Sequence, residues 1–377
     1  MARLRRSSCA APGIARRGRG RGFQYLDPDG ERIDDPEVLE RIAGLAIPPA
    51  WREVWICIDP RGHLQATGLD AAGRKQYLYH ERWRVHRDRQ KFDSMIAFGR
   101  SLGRLRRRVS HELGSVEQDT PGSDLDRRLS RERVLACAVR LLDLGFFRIG
   151  SEDYAERNES YGLSTMLRKH VTIEGEELIF DFPAKSGQHR VQAIADEQAL
   201  DVVGELKRRR SGSQLLAYRA DGRWVELRAE EVNDWIKRHS KGDFTAKDFR
   251  TWNATVLCAV ALTDGGGDRA NGVGSADGAG GSDRAGGSSG KAAKRPTKAA
   301  RERHVRAAIK TVAAYLGNTP AVCRASYVDP RVIDCYNAGV TIAPLLGELP
   351  GEAPDLADPR IRKRIESSVL ELLDEAA

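Results

Sequence analysis

The sequence predicts an α+β protein, with a small, mostly-β N-terminal domain and a larger, mainly α domain that contains a small β-sheet. The period of the apolar residues predicts it. They alternate in short runs up to His80, follow a 3.6-residue repeat from Asp88 onward, and return to alternation only between His170 and Ile194. The 377 residues, 40% of them apolar, are enough for two domains with separate cores.

In chain order, residues 1–22 hold seven arginines and no acid. With Arg17-Gly18-Arg19-Gly20-Arg21 at their end, they are expected to form a disordered, solvated basic arm. Order is expected from Phe23. Tyr25-Leu26 runs into the Asp27-Pro28-Asp29-Gly30 turn, Val54–Ile58 and Leu64–Thr67 flank the turn Asp59–Gly62, and Arg74–His80 supplies a further aromatic strand. The β domain is thus placed at 23–87 and the second domain at 88–377.

In the second domain Phe92, Met95, Ile96 and Leu102 mark one helix face. Val134, Leu135, Ala138, Leu141 and Leu142 mark another, with Gly145 as its expected C-terminal cap. Gly175 and Ser186-Gly187 read as turns between strands. Helices are predicted at Ala229–Arg238, Thr245–Leu262, Pro296–Leu316 and Arg360–Glu375, and Thr245-x-x-Asp248 is a capping box. Of the 27 residues 264–290, eleven are glycine, the composition of a flexible insert rather than of a phosphate-binding loop.

The net charge is +8, and its distribution is sorted. Arg74–Arg108 carries twelve Lys/Arg against three acids and Lys291–Lys310 eight against one, whereas Gly347 to the C-terminus holds eight acids against four bases. Two basic blocks and an acidic tail suit a phosphate backbone. The six cysteines are scattered, with no Cys-x-x-Cys, and read as reduced thiols. A disulfide-stapled toxin is excluded. The longest apolar run, Val256–Leu262, is too short to span a bilayer, so a soluble, cytoplasmic protein with no membrane partner is expected. Neither an acidic metal cluster nor a Gly-x-x-x-x-Gly-Lys-Ser/Thr loop is visible, so no metal, nucleotide or other cofactor is expected.

Four local signatures carry the chemistry. They are Phe147-Arg148-Ile149-Gly150 after a helix, Lys185 at an Ala-Lys-Ser-Gly turn, Lys247-Asp248-Phe249-Arg250-Thr251-Trp252 at a helix start, and Leu316-Gly317-Asn318-Thr319-Pro320 followed by Tyr327, nine residues after Asn318. This ordered set resembles the type IB DNA topoisomerases, specifically the compact poxvirus-like branch found in bacteria. Ile47-Pro48-Pro49-Ala50-Trp51, His63–Gly68 and Gly73–His80 look like the same branch. The resemblance runs from about Phe23 to Leu346 and leaves out the arginine arm and the glycine-rich insert.

The resemblance implies a monomeric, C-shaped clamp around double-stranded DNA. In it Tyr327 attacks a phosphodiester and becomes joined to the 3′ phosphate, Arg148 and Arg250 clamp the non-bridging oxygens, and Asn318 donates to one of them. Lys185 protonates the departing 5′ oxygen. The residue types suit these tasks. A phosphorane-like transition state gathers charge on its non-bridging oxygens, and a guanidinium meets it with a planar fork of donors that keeps its charge. An alkoxide leaving group has a very high pKa, so its protonation matters. An asparagine, where many relatives have histidine, keeps a neutral donor and gives up proton transfer. No motif identifies the base that takes the Tyr327 proton. Gln76, Tyr77 and Tyr79, beside Arg74 and Lys75, are implied contacts to bases and backbone, and Lys247, Tyr161, Arg168 and Lys169 further DNA contacts.

Singly, each residue has a duller reading: a helix-end arginine, a solvated turn lysine, a strand tyrosine packed in a core, Asn318 as the residue before a Thr319-Pro320 helix start. The closest rival to the topoisomerase reading is a tyrosine recombinase. Such enzymes usually carry His-x-x-Arg where this chain has Lys247-x-x-Arg250, and their N-terminal domain is helical. A non-catalytic architectural DNA-binding protein would need no Tyr327.

Overall fold

The computed structural model describes residues 3–20, 22–114, 125–152, 155, 159–263, 296–346, 356 and 358–376. The expected glycine-rich insert, 264–290, lies outside them, as do residues 1, 2 and 21 of the basic arm. The chain forms two compact units, Met1–Asp93 and Ser94–Ala377.

The first unit is built on a five-stranded antiparallel sheet of order β2-β1-β3-β4-β5, from β1 (Ile14–Arg19), β2 (Gly22–Leu26), β3 (Arg52–Ile56), β4 (Leu64–Leu69) and β5 (Lys75–Tyr79). Ile14, Ile42, Val54, Ile56 and Ala66 form its core, with Tyr25, Ile47, Trp51 and Leu78 packed around them. Ile42 comes from α1 (Pro36–Gly44), a helix the strand pattern did not predict, started by the Asp35 side chain accepting from the Glu37 N–H and by Pro36 in the first turn.

The arm corrects the expectation of disorder over 1–22. β1 lies between β2 and β3, so both edges of its backbone have ladder partners, and Ile14 is buried in the core. Further upstream, the Arg5 N–H donates to the Arg61 carbonyl at 2.8 Å and the Ser7 hydroxyl to the Leu64 carbonyl at 2.9 Å. Arg16 is not a free cation. Its guanidinium donates to the carbonyls of Ile47, Pro48 and Trp51 and lies over the Phe23 ring, with its carbon 4.2 Å from the centroid.

Helix α2 (Glu81–Gly114) starts seven residues before the predicted change of period and contains the boundary between the units. In the second unit, α3 (Arg131–Gly145) is buried along most of its length. Its left-handed terminal residue is Phe146 (φ 53°), not the expected Gly145. Gly145 answers a different need, because a Cβ there would stand 2.2 Å from the Phe147 ring. A three-stranded sheet, β6 (Val171–Glu174), β7 (Glu177–Ala184) and β8 (Gln188–Ala195), follows in the predicted stretch. Helix α4 (Glu197–Arg208) and the hairpin β9 (Ala217–Ala220) and β10 (Arg223–Glu226) were not predicted.

Further helices are α5 (Ala229–Ser240), α6 (Ala246–Ala261), α7 (Lys298–Leu316), α8 (Pro320–Ser326), α9 (Pro330–Ala338) and α10 (Pro359–Glu375). A buried ionic cluster joins four of the helices. Arg106 on α2 pairs with Asp143 on α3 at 2.8 Å and with Glu366 on α10 at 2.6 Å, and Arg362 pairs with Asp143 at 2.7 Å. The Asn253 amide on α6 donates to the Asp143 carbonyl at 3.0 Å. Burial opposes the charge on Asp143, but the Arg106 and Arg362 guanidinium groups outweigh it and hold the carboxyl well below the usual range. The cluster therefore fixes the end of α3, from which Arg148 departs, against α6, which carries Arg250.

Candidate active site

The C-terminal end of α7 organises the site. The last carbonyls of a helix have no intrahelical partner and carry the negative end of its dipole, so they attract cations. Here three consecutive carbonyls each receive one arginine. Tyr315 O accepts from Arg190 Nη2 at 2.7 Å, Leu316 O from Arg250 Nη2 at 2.9 Å, and Gly317 O from Arg148 Nη2 at 3.1 Å. Gly317 caps the helix in the left-handed region (φ 59°), where glycine is favoured.

Arg148 sits on the loop after α3, and that loop is held by the backbone. The Leu163 N–H donates to the Arg148 carbonyl at 2.8 Å and the Ser164 N–H to the Ile149 carbonyl at 2.7 Å. The crossing is tight: a Cβ on Gly162 would stand 2.4 Å from the Gly150 nitrogen and one on Gly150 3.0 Å from the Gly162 Cα, so close approach favours glycine at both positions. Arg148 Nη2 also donates to Asn318 Oδ1 at 2.5 Å.

Arg250 lies in the second turn of α6 and is 2% exposed. The expected helix start is present: the Asp248 carboxylate accepts from the Thr245 N–H at 2.7 Å and from its hydroxyl at 3.0 Å. The Arg250 guanidinium also donates to the Phe146 carbonyl and lies over the Tyr327 ring, 5.2 Å from its centroid. Burial, with Arg148 and Arg190 nearby, pushes its pKa down to about 10, so it stays charged at neutral pH.

Tyr327 ends α8, which starts as predicted with Thr319 as N-cap and Pro320 in the first turn. Its neighbours are anchored by Thr255 on α6, whose hydroxyl donates to the Tyr327 carbonyl at 3.3 Å and accepts from the Asp329 N–H at 3.2 Å. Two donors of the site, Arg250 Nε and Asn318 Nδ2, are buried with no hydrogen-bond partner among the described residues. Unpaired donors of this kind are costly unless a ligand supplies the acceptor.

Arg148, Arg250, Asn318 and Tyr327 are thus brought together. Lys185 is exposed in the turn Lys185–Gly187 between β7 and β8, and the strand leaving that turn returns to the site through Arg190. Lys247 is exposed one turn before Arg250, and Lys169 is exposed as well. Tyr161 packs its ring against His170, with centroids 4.6 Å apart. The Arg168 guanidinium donates to the Arg209 carbonyl.

In the first unit, Lys75, Tyr77 and Tyr79 all lie exposed along β5, so neither tyrosine is a core residue. The two rings stack with centroids 6.2 Å apart. Arg74 Nε and Gln76 Nε2 both donate to Asp70 Oδ2, at 2.9 Å each.

Sequence reasoning missed Arg190, Gln188 and Thr255. Their signals are faint: Arg190 looks like one polar position of an alternating strand, and Thr255 lies one turn beyond the Arg250 motif. Among the described residues, no group of three or more His, Cys, Asp or Glu is placed to hold a metal ion, and no helix is long and apolar enough to cross a membrane.

A tyrosine under the buried Arg250 guanidinium, with Arg148 and Asn318 held at the same helix end, is an arrangement suited to binding a phosphodiester. The comparisons specify the family. Residues 80–339 match the family model described as eukaryotic DNA topoisomerase I, catalytic core, and residues 22–70 match bacterial DNA topoisomerase IB, N-terminal domain. DNA topoisomerase 1B of Acanthamoeba polyphaga mimivirus is 31% identical over 255 residues, 66% of this chain and 72% of that protein. DNA topoisomerase 1 of Mycosarcoma maydis is 22% identical over 205 residues, 49% of this chain and 19% of the relative. The chain belongs to the type IB DNA topoisomerase family.

Proposed function

We propose that the chain relaxes supercoils of both signs through a 3′-phosphotyrosyl intermediate, with Arg148, Lys185, Arg250, Asn318 and Tyr327 as its catalytic residues. The observation that carries this is the pair of buried donors unpartnered among the described residues, Arg250 Nε and Asn318 Nδ2, with the Arg250 guanidinium over the Tyr327 ring. They suit a phosphate whose charge grows in the transition state. As the phenol oxygen bonds to phosphorus and gives up its proton to water, the bond to the 5′ oxygen breaks and Lys185 gives that oxygen a proton. Religation runs the same steps in reverse, after the free strand has swivelled. The energy of the broken bond is kept in the phosphotyrosine linkage, so the cycle needs no ATP.

A monomeric, C-shaped clamp is the arrangement we propose for holding the duplex. Lys75, Tyr77 and Tyr79 offer it an exposed cationic and aromatic strand. Lys247, Lys169 and Tyr161 are proposed as further contacts. The test is relaxation of positively and negatively supercoiled plasmid with EDTA present and ATP absent. Wild type should relax both and Tyr327→Phe neither. A wild-type protein that binds DNA without relaxing it would overturn the proposal.

A further inference from the structure

Arg190 is the third arginine of the carbonyl row and has no part in the clamp proposed above. It lies on β8, opposite Phe182 across the hairpin that carries Lys185 at its tip. Besides the 2.7 Å bond to Tyr315 O, its Nη2 donates to Gln192 Oε1 at 3.4 Å within the strand. The hairpin also meets the next turn of chain. A Cβ placed on Gly317 would stand 3.1 Å from Arg190 Nη1 and 3.3 Å from Gln188 Oε1, so the two side chains close directly over the residue that precedes Asn318.

A third guanidinium here has an electrostatic cost. Burial, and Arg148 nearby, push the Arg190 pKa down, although a neutral side chain could also hydrogen-bond one carbonyl. A planar fork, however, can hold Tyr315 O with one nitrogen while the other rests against Gly317, which fixes direction as well as distance.

We propose that Arg190 is a positioning residue for the leaving-group proton, registering the Lys185 hairpin on the same row of carbonyls that orients Arg250 and Arg148. Through that contact the lysine and the Asn318 corner keep one geometry while the hairpin tip engages DNA. The inference rests on the reading of Lys185 as the general acid.

The experiment compares two duplexes in single-turnover cleavage at one mapped site: an ordinary 5′-oxygen linkage, and a linkage in which sulfur replaces that bridging oxygen. A thiolate leaves without being protonated, so it bypasses the general acid. Arg190→Ala should slow cleavage of the oxygen linkage about 100-fold, the low end of what general acid catalysis contributes, and fall within about threefold of wild type on the sulfur linkage. Arg190→Lys and Gln188→Ala should show the same pattern with smaller losses, and they carry the test if Arg190→Ala does not fold. Equal slowing of all three variants on both linkages, or no slowing on either, would overturn the proposal. Lys185→Ala, with Arg190 intact, separates the two readings: if sulfur does not rescue it, Lys185 is not the acid and the inference falls with that reading.

Discussion

Arg148 and Asn318, 170 positions apart in the chain, are joined by a 2.5 Å hydrogen bond in which the guanidinium donates to the amide oxygen. The bond turns the amide so that its Nδ2 donors remain unpaired and buried. Asn318 thereby keeps its donors available for the proposed contact to a substrate phosphate. Asn318→Ala should lower the cleavage rate about 100- to 1000-fold, the usual cost of one such donor. Asn318→Asp should lower it further, because a carboxylate would pair with Arg148 and repel the phosphate. Single-turnover cleavage with matched DNA affinity checks both.

Arg250 donates to two carbonyls, Phe146 and Leu316, while its Nε is unpartnered. Arg250→Lys keeps a cation but cannot serve both carbonyls and a phosphate at once. It should lose at least about 100-fold in cleavage, with Arg250→Ala lower still. Accumulation of the covalent complex on DNA is the measurement, and equal activity of the lysine variant would contradict the clamp.

Gly317 combines a left-handed backbone with the close approach of Arg190 and Gln188. Gly317→Ala should destabilise the fold by about 1–2 kcal/mol from backbone conformation alone. Cleavage should fall by more than the loss of folded protein explains, because the carbonyl row shifts. Urea unfolding and cleavage on the same preparation separate the two effects.

The Asp143 carboxyl ionises well below its unfolded value. The unfolded chain therefore binds the proton first as pH falls, and stability that is full above about pH 5 is lost progressively below it. Asp143→Asn leaves Arg106 and Arg362 without their shared partner and should cost about 3–5 kcal/mol at neutral pH. Its urea midpoint should also vary less between pH 6 and 3 than that of wild type.

Ile14 is 3% exposed in the core of the first unit. Ile14→Ala should cost about 2–5 kcal/mol in that unit, an effect a solvated arm would not show. Thermal unfolding monitored through the N-terminal tryptophans, Trp51 and Trp55, reports it.

How far the sequence could be read follows from the range of the interactions involved. The helix start at Thr245, the Thr319-Pro320 start before Tyr327, the β6–β8 stretch and the order of the five proposed catalytic residues were all legible, because caps, turns and periodicity act within a few residues. β1 was not. Its arginines resemble a disordered tail until β2 and β3 supply ladder partners and the core receives Ile14. Nor was Arg190, whose partners Tyr315 and Gly317 lie more than a hundred residues away. The sequence by itself thus determined which chemical groups the proposed site contains and which local elements carry them. Only the tertiary structure decided how they are aimed, because the end of α7 holds three arginines on successive carbonyls, and a helix terminus satisfied from distant strands and loops leaves no local pattern in the chain.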